Sequence, residues 1–112
     1  MIAENIIMEI IDKIAIGYQP DKVILFGSYA SGKANEDSDL DLLIVKDSLL
    51  ARPERTANVR KLLFGVGLPL DIIVYTPLEL EKSKVDKYSF IHEILNTGKT
   101  LYEFNYNQII DE

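Results

Sequence analysis

Val23-Ile24-Leu25-Phe26-Gly27-Ser28, followed after ten residues by Asp39-Leu40-Asp41-Leu42-Leu43-Ile44-Val45, is the stretch on which the reading of this 112-residue chain turns. Four apolar residues that run into Gly-Ser predict a strand halted by a glycine turn. Ser28 to Lys33 predicts a short helix, residues 32–38 a polar loop, and Asp39 to Val45 a second strand that opens on two carboxylates. Side chains two apart on a strand share a face. Asp39 and Asp41 therefore point one way, and Leu40, Leu42 and Ile44 point the other. Leu43 and Val45 continue the acidic face as apolar positions, which puts the carboxylates at the rim of a partly buried surface.

Two carboxylates that approach to about 5 Å repel by roughly 3 kcal/mol at an effective dielectric near 20. No lysine or arginine in the local sequence shares their face. Either one acid keeps its proton or a divalent cation neutralises the pair. Oxygen-only ligands without His or Cys favour Mg²⁺, with Mn²⁺ as a substitute, and Mg²⁺ is commonly held by one or two carboxylates together with substrate phosphates. The glycine turn supplies the matching half. Gly27 lets the backbone approach a phosphate closely, and Ser28 offers a hydroxyl and an amide at the start of a helix. Lys33 is a candidate additional cation. A phosphate cradle beside metal-binding carboxylates is the combination that nucleotidyl transfer requires.

A third acid, Asp71, precedes Ile72-Ile73-Val74-Tyr75 and interrupts an apolar alternation that predicts another strand over Leu68 to Tyr75. The 25 residues from Lys46 to Leu70 accommodate a crossover helix. If that strand neighbours the one carrying Asp41, Asp71 reaches the same cluster and can ligate metal or take a proton from the attacking group. Ile2, Ile6, Ile7, Ile10, Ile11 and Ile14 recur at helical spacing, with Gly17 as the expected stop. Pro53 marks the start of a helix with Val59, Leu62, Leu63 and Val66 on its apolar side, ended by Gly65 and Gly67. Thr76-Pro77-Leu78-Glu79 has the spacing of a helix-start capping box. A last helix is expected over Lys87 to Thr97, stopped by Gly98, with an extended piece at Thr100 to Glu103. These elements make an α/β (α+β) chain with a small mixed sheet of three or four strands flanked by helices.

One hydrophobic core fits the length, so residues 1–112 are expected to form a single domain, with 104–112 as a polar tail whose order the sequence leaves open. Apolar content of 47% and charged content of 27% are ordinary for a globular protein. No apolar run is long enough to span a bilayer, and Met1-Ile2-Ala3-Glu4 lacks the basic flank of a signal peptide. Zero cysteines exclude disulfides and thiolate metal sites and fit a cytoplasmic setting. A net charge of −6 argues against direct nucleic-acid binding and suits a basic protein partner better.

The Gly27-Ser28, ten residues, Asp39-Leu40-Asp41 pattern with a later strand-borne Asp71 resembles the DNA polymerase β-type nucleotidyltransferase superfamily. Its nearest likeness there is the minimal nucleotidyltransferase (MNT) branch, the antitoxin half of two-gene pairs with HEPN-domain ribonuclease toxins. The likeness extends from Val23 through the segment Ile91 to Glu103. It implies a polymerase β-type fold, two Mg²⁺ ions and ATP as nucleotide donor. It further implies Asp39, Asp41 and Asp71 as catalytic, metal-binding carboxylates, and Gly27 and Ser28 as triphosphate contacts. In that branch the acceptor is a tyrosine of the partner toxin, which AMP addition inactivates. Larger relatives carry an extra acceptor-recognition domain that this chain lacks, and a protein partner that brings its own acceptor removes the need for one. Two other readings stand beside it: an antitoxin that acts by binding and occlusion alone, and a transferase acting on a small molecule, for which a homodimer would have to supply a shared pocket.

Other residues carry plainer readings. Arg52, Arg55, Arg60 and Lys61 hold a third of the twelve basic residues and read as a solvated helix face rather than a nucleotide or partner contact. His92 reads as a packing or surface residue. Tyr29 reads equally as a nucleotide neighbour or a structural residue.

Overall fold

The computed structural model describes residues 1–105; of the expected tail, residues 106–112 lie outside the described residues. The order of elements is α1 (Glu4–Tyr18), β1 (Lys22–Phe26), α2 (Ser28–Ser31), β2 (Leu40–Val45), α3 (Arg52–Leu62), β3 (Leu70–Tyr75), α4 (Pro77–Lys84), α5 (Phe90–Thr97) and β4 (Lys99–Glu103). The four strands form one sheet in the order β3-β2-β1-β4. β1 is antiparallel to both β2 and β4, whereas β2 and β3 run parallel with α3 as the crossover between them.

The central strands are apolar on both sides, because both faces of the sheet are covered. On one face Ile7, Ile10, Ile11 and Ile14 of α1 and Val59 of α3 pack against Val23, Leu25, Leu40, Leu42 and Ile44. On the other, Ile91 and Ile94 of α5 pack against Ile24, Phe26 and Leu43. The alternation along β2 thus sends Leu42 and Ile44 to one core and Leu43 to the other, as the period-2 pattern requires. Among the described residues, no helix is long and apolar enough to cross a membrane.

Several element ends differ from expectation, each for a local reason. α1 runs through Gly17 to Tyr18 and is closed by Gln19 in the left-handed conformation (φ 53°). A Cβ at Gly17 would lie 2.7 Å from the end of the Leu62 side chain on α3, which is partly exposed. α2 is a single turn, ended by Gly32 at φ 79°. β2 begins at Leu40, so Asp39 stands one residue ahead of the ladder. The helix expected from Lys87 starts only at Phe90, because Ser89 caps it. The Ser89 hydroxyl accepts a hydrogen bond from the His92 amide (3.0 Å) and donates one to the Ser83 carbonyl (2.9 Å), tying the end of α4 to the start of α5. The capping box read from Thr76 and Glu79 is present in both directions, at 3.1 and 2.8 Å.

The basic cluster departs furthest from expectation. Arg55 is buried rather than solvated. Its guanidinium donates to the Leu50 carbonyl (2.8 Å), the Val74 carbonyl (3.2 Å) and the Glu79 carboxylate (2.6 Å). Arg52 lies 4.0 Å from the centroid of the Tyr75 ring, and Arg60 donates to the Leu70 carbonyl. These arginines fasten α3 and α4 to β3.

Candidate active site

Asp41 and Asp71 are the second residues of β2 and β3, and the parallel register sets them directly opposite each other. Antiparallel pairing with β1 places Phe26, the residue before Gly27, on the other side of Asp41. The glycine turn and two of the three acids therefore meet because three neighbouring strands begin or end at one edge of the sheet.

Gly27 sits at φ 72°, ψ −152°, a backbone conformation essentially reserved for glycine. A Cβ at this position would run into the Asp41 carboxylate. The missing side chain is thus the room that the acid occupies, a second reason for glycine beyond the close approach expected from sequence.

Burial is the largest influence on Asp41 and pushes its carboxyl above the usual carboxylate range; Asp71 and then Asp39 push it further the same way. Asp39 is exposed, yet close enough to add its charge. No basic group offsets them among the causes of that shift. Among the described residues, no three acidic or histidine side chains are already drawn together as a metal cage. The arrangement is a facing pair, Asp41 and Asp71, with Asp39 two residues ahead of Asp41. A pair of carboxylates with unrelieved repulsion and oxygen-only donors suits a hard divalent cation whose remaining ligands come from phosphates and water.

A cleft of about 520 Å³ opens over the pair. Gly27 and Ser31 form one wall, Asp41 and Asp71 the floor, and Phe90, Glu93 and Thr97 of α5 the opposite wall. Ser28 is half-buried at the first position of α2, and it is Ser31, one turn later, that faces the cleft. Lys33 is exposed and does not line it. Tyr29 belongs to the opposite side of the sheet, where its hydroxyl accepts a hydrogen bond from the Ile2 amide (2.9 Å) and its ring packs on the α1 core. His92 is half-buried, with its Nδ1 3.0 Å from the Asn96 amide nitrogen. Sequence reasoning missed the whole α5 wall. Its signal was present as Phe90, Glu93, Ile94 and Thr97 at helical spacing, but nothing local says which face of the sheet α5 covers.

The sequence of residues 9–107 matches the family model described as polymerase beta, nucleotidyltransferase. The chain belongs to this family, and it is a nucleotidyltransferase with the polymerase β-type fold. One similar relative is a candidate protein adenylyltransferase of Methanocaldococcus jannaschii, 36% identical over 101 residues, which cover 88% of this chain and 97% of the relative. Among solved structures, a toxin–antitoxin crystallised with AMP-PNP superposes with a TM-score of 0.60 at 21% identity, covering 97% of this chain and 80% of that one. A complex of the tri-AMPylated Shewanella oneidensis HEPN toxin with its MNT antitoxin superposes with a TM-score of 0.50 at 18% identity, covering 96% and 75%.

Proposed function

We propose that this nucleotidyltransferase is an antitoxin that moves AMP from ATP, with Mg²⁺, to a tyrosine of a partner HEPN ribonuclease and so neutralises it. The observation that carries the reading is the in-register facing of Asp41 and Asp71 beside a glycine whose absent side chain makes room for one of them. Its support from likeness is the adenylyltransferase name of the Methanocaldococcus relative and the toxin–antitoxin neighbours, one holding an ATP analogue and one an AMP-modified HEPN toxin.

In this reading Asp39, Asp41 and Asp71 hold Mg²⁺, which supplies charge neutralisation for the triphosphate. Gly27 and Ser28 bring backbone amides and a hydroxyl to the phosphates, and Ser31, which lines the cleft, adds a second hydroxyl. The tyrosine oxygen forms a bond to the α-phosphorus, the bond from that phosphorus to the bridging oxygen breaks, and pyrophosphate leaves. Asp71, exposed and lining the cleft, takes the phenolic proton. The setting this implies is the cytoplasm, where ATP and the toxin meet.

Incubation with labelled ATP, Mg²⁺ and a cognate HEPN protein from the same genome is expected to label the toxin and suppress its ribonuclease activity. The Asp39→Asn, Asp41→Asn double variant should still bind the toxin but leave it unlabelled and active. Neutralisation that survives the double substitution at equal dose would replace transfer with occlusion.

A further inference from the structure

We infer that the α5 wall of the cleft is the nucleoside subsite and that Phe90 is the platform on which the base stacks. The inference rests on the proposed nucleotide reading and deepens it. Phe90 opens α5, lines the cleft and is 57% exposed, so its ring is open to a ligand there. Its ring is nonetheless held in place. It meets Phe26 edge to face, with centroids 5.7 Å apart and planes at 83°, and Phe26 is the β1 residue paired with Asp41. The Phe90 ring is thus held against the strand that leads into the glycine turn, and Phe90 lines the same cleft as Asp41 and Asp71. An exposed aromatic ring of fixed orientation beside a polyanion site is what a nucleobase, with its own flat π surface, can use.

The rest of that wall sets the polarity of the ligand. Phe90, Glu93 and Thr97 lie three and four residues apart and so share one side of α5. Glu93 is exposed and adds a negative charge to this wall, which turns phosphates away from α5 and toward the Gly27 wall. A carboxylate and a hydroxyl one turn apart are also suitable partners for the hydroxyls of a ribose. The triphosphate end then belongs to Gly27 and the acids, and the nucleoside to α5.

Equilibrium binding of Mg²⁺-ATP and of Mg²⁺-tripolyphosphate to the intact protein separates the two ends. Phe90→Leu keeps an apolar side chain against Phe26 but removes the π surface, and Phe90→Trp restores one. Phe90→Leu is expected to weaken ATP binding about tenfold, leave tripolyphosphate within about twofold, and be rescued by Phe90→Trp. Unchanged ATP affinity in Phe90→Leu, or a parallel loss of both ligands, would overturn the subsite while leaving the transferase reading in place. If the unaltered protein binds neither ligand, the nucleotide reading falls and this inference with it.

Discussion

Gly27 shows how much a single position carries. Its left-handed φ with an extended ψ is open to almost no other residue, and the space its side chain would fill holds the Asp41 carboxylate. Gly27→Ala therefore combines backbone strain with displacement of an acid that already bears an unfavourable charge. Transfer activity of this variant is expected to fall by at least about a hundredfold, as for misplacement of a reacting group by an ångström or so. The fold should survive, because Gly27 lies at the rim, outside both cores. Activity within a few-fold of the parent, measured alongside an unchanged circular dichroism spectrum, would show that this close approach is not required. That Gly27 is special is legible in Phe26-Gly27-Ser28. That its neighbour across the strands is Asp41 is not, since the two are fourteen residues apart and meet only through the β1–β2 register.

Helices and strands add a contrast between two glycines that look alike in sequence. Gly17 and Gly98 were both read as helix stops. Gly17 is inside α1, and the atoms nearest a Cβ there belong to the flexible side chain of Leu62, which is itself partly exposed. Gly17→Ala should be tolerated and gain up to about 1 kcal/mol from helix propensity. Gly98 does close α5, and a Cβ there would lie 2.6 Å from the Ile94 carbonyl oxygen and 3.0 Å from that of Leu25. Backbone atoms on both sides leave no room to yield, so Gly98→Ala should cost about 1–3 kcal/mol. Urea unfolding of the two variants is expected to shift the midpoints in opposite directions. A loss in Gly17→Ala as large as in Gly98→Ala would mean that the α1–α3 contact is as rigid as the backbone. The residues around these glycines do not separate the two cases; the packing partner does.

Across the whole molecule, the Arg55–Glu79 pair joins the crossover helix α3, the end of strand β3 and the start of α4. The hydrogen bond from Arg55 is the main reason the Glu79 carboxyl is lowered from 4.5 to about 2, with the Thr76 amide and Arg52 helping against the cost of burial. A depressed carboxylate stabilises the fold fully above its unfolded-state value and loses that contribution as pH falls toward the folded one. The relevant window here is pH 4.5 down to about 2. The Glu79 side chain is 30% exposed, so solvent screening reduces the contribution to the order of 2 kcal/mol. Arg55→Met should lower the urea midpoint at pH 7 by the equivalent of about 2–4 kcal/mol, because it strips the partner from Glu79 and from two backbone carbonyls. It should also flatten the fall in stability between pH 4.5 and 2. An equally steep fall in the variant would assign the acid sensitivity to other carboxylates.

Alternation and periodicity suffice for the strands, the α1 face and the rim position of Asp41, because each reports a regularity of two or 3.6 residues that local chain geometry imposes; of the α3 face expected from spacing, only Val59 is buried within the helix. The Gly-Ser and Asp-Leu-Asp spacing likewise picks out Gly27 and Asp41, which line one cleft. Pairing is a different kind of fact. Asp71 faces Asp41 because β2 and β3 run parallel in one particular register, and a shift of one residue would turn it to the other side of the sheet. Arg55 passed for a surface charge because burial depends on Glu79 and on two carbonyls that approach it from residues 5, 19 and 24 positions away. The α5 wall was hidden for the same reason: a helix shows its apolar face in its spacing, but which sheet surface receives that face is settled by long-range packing.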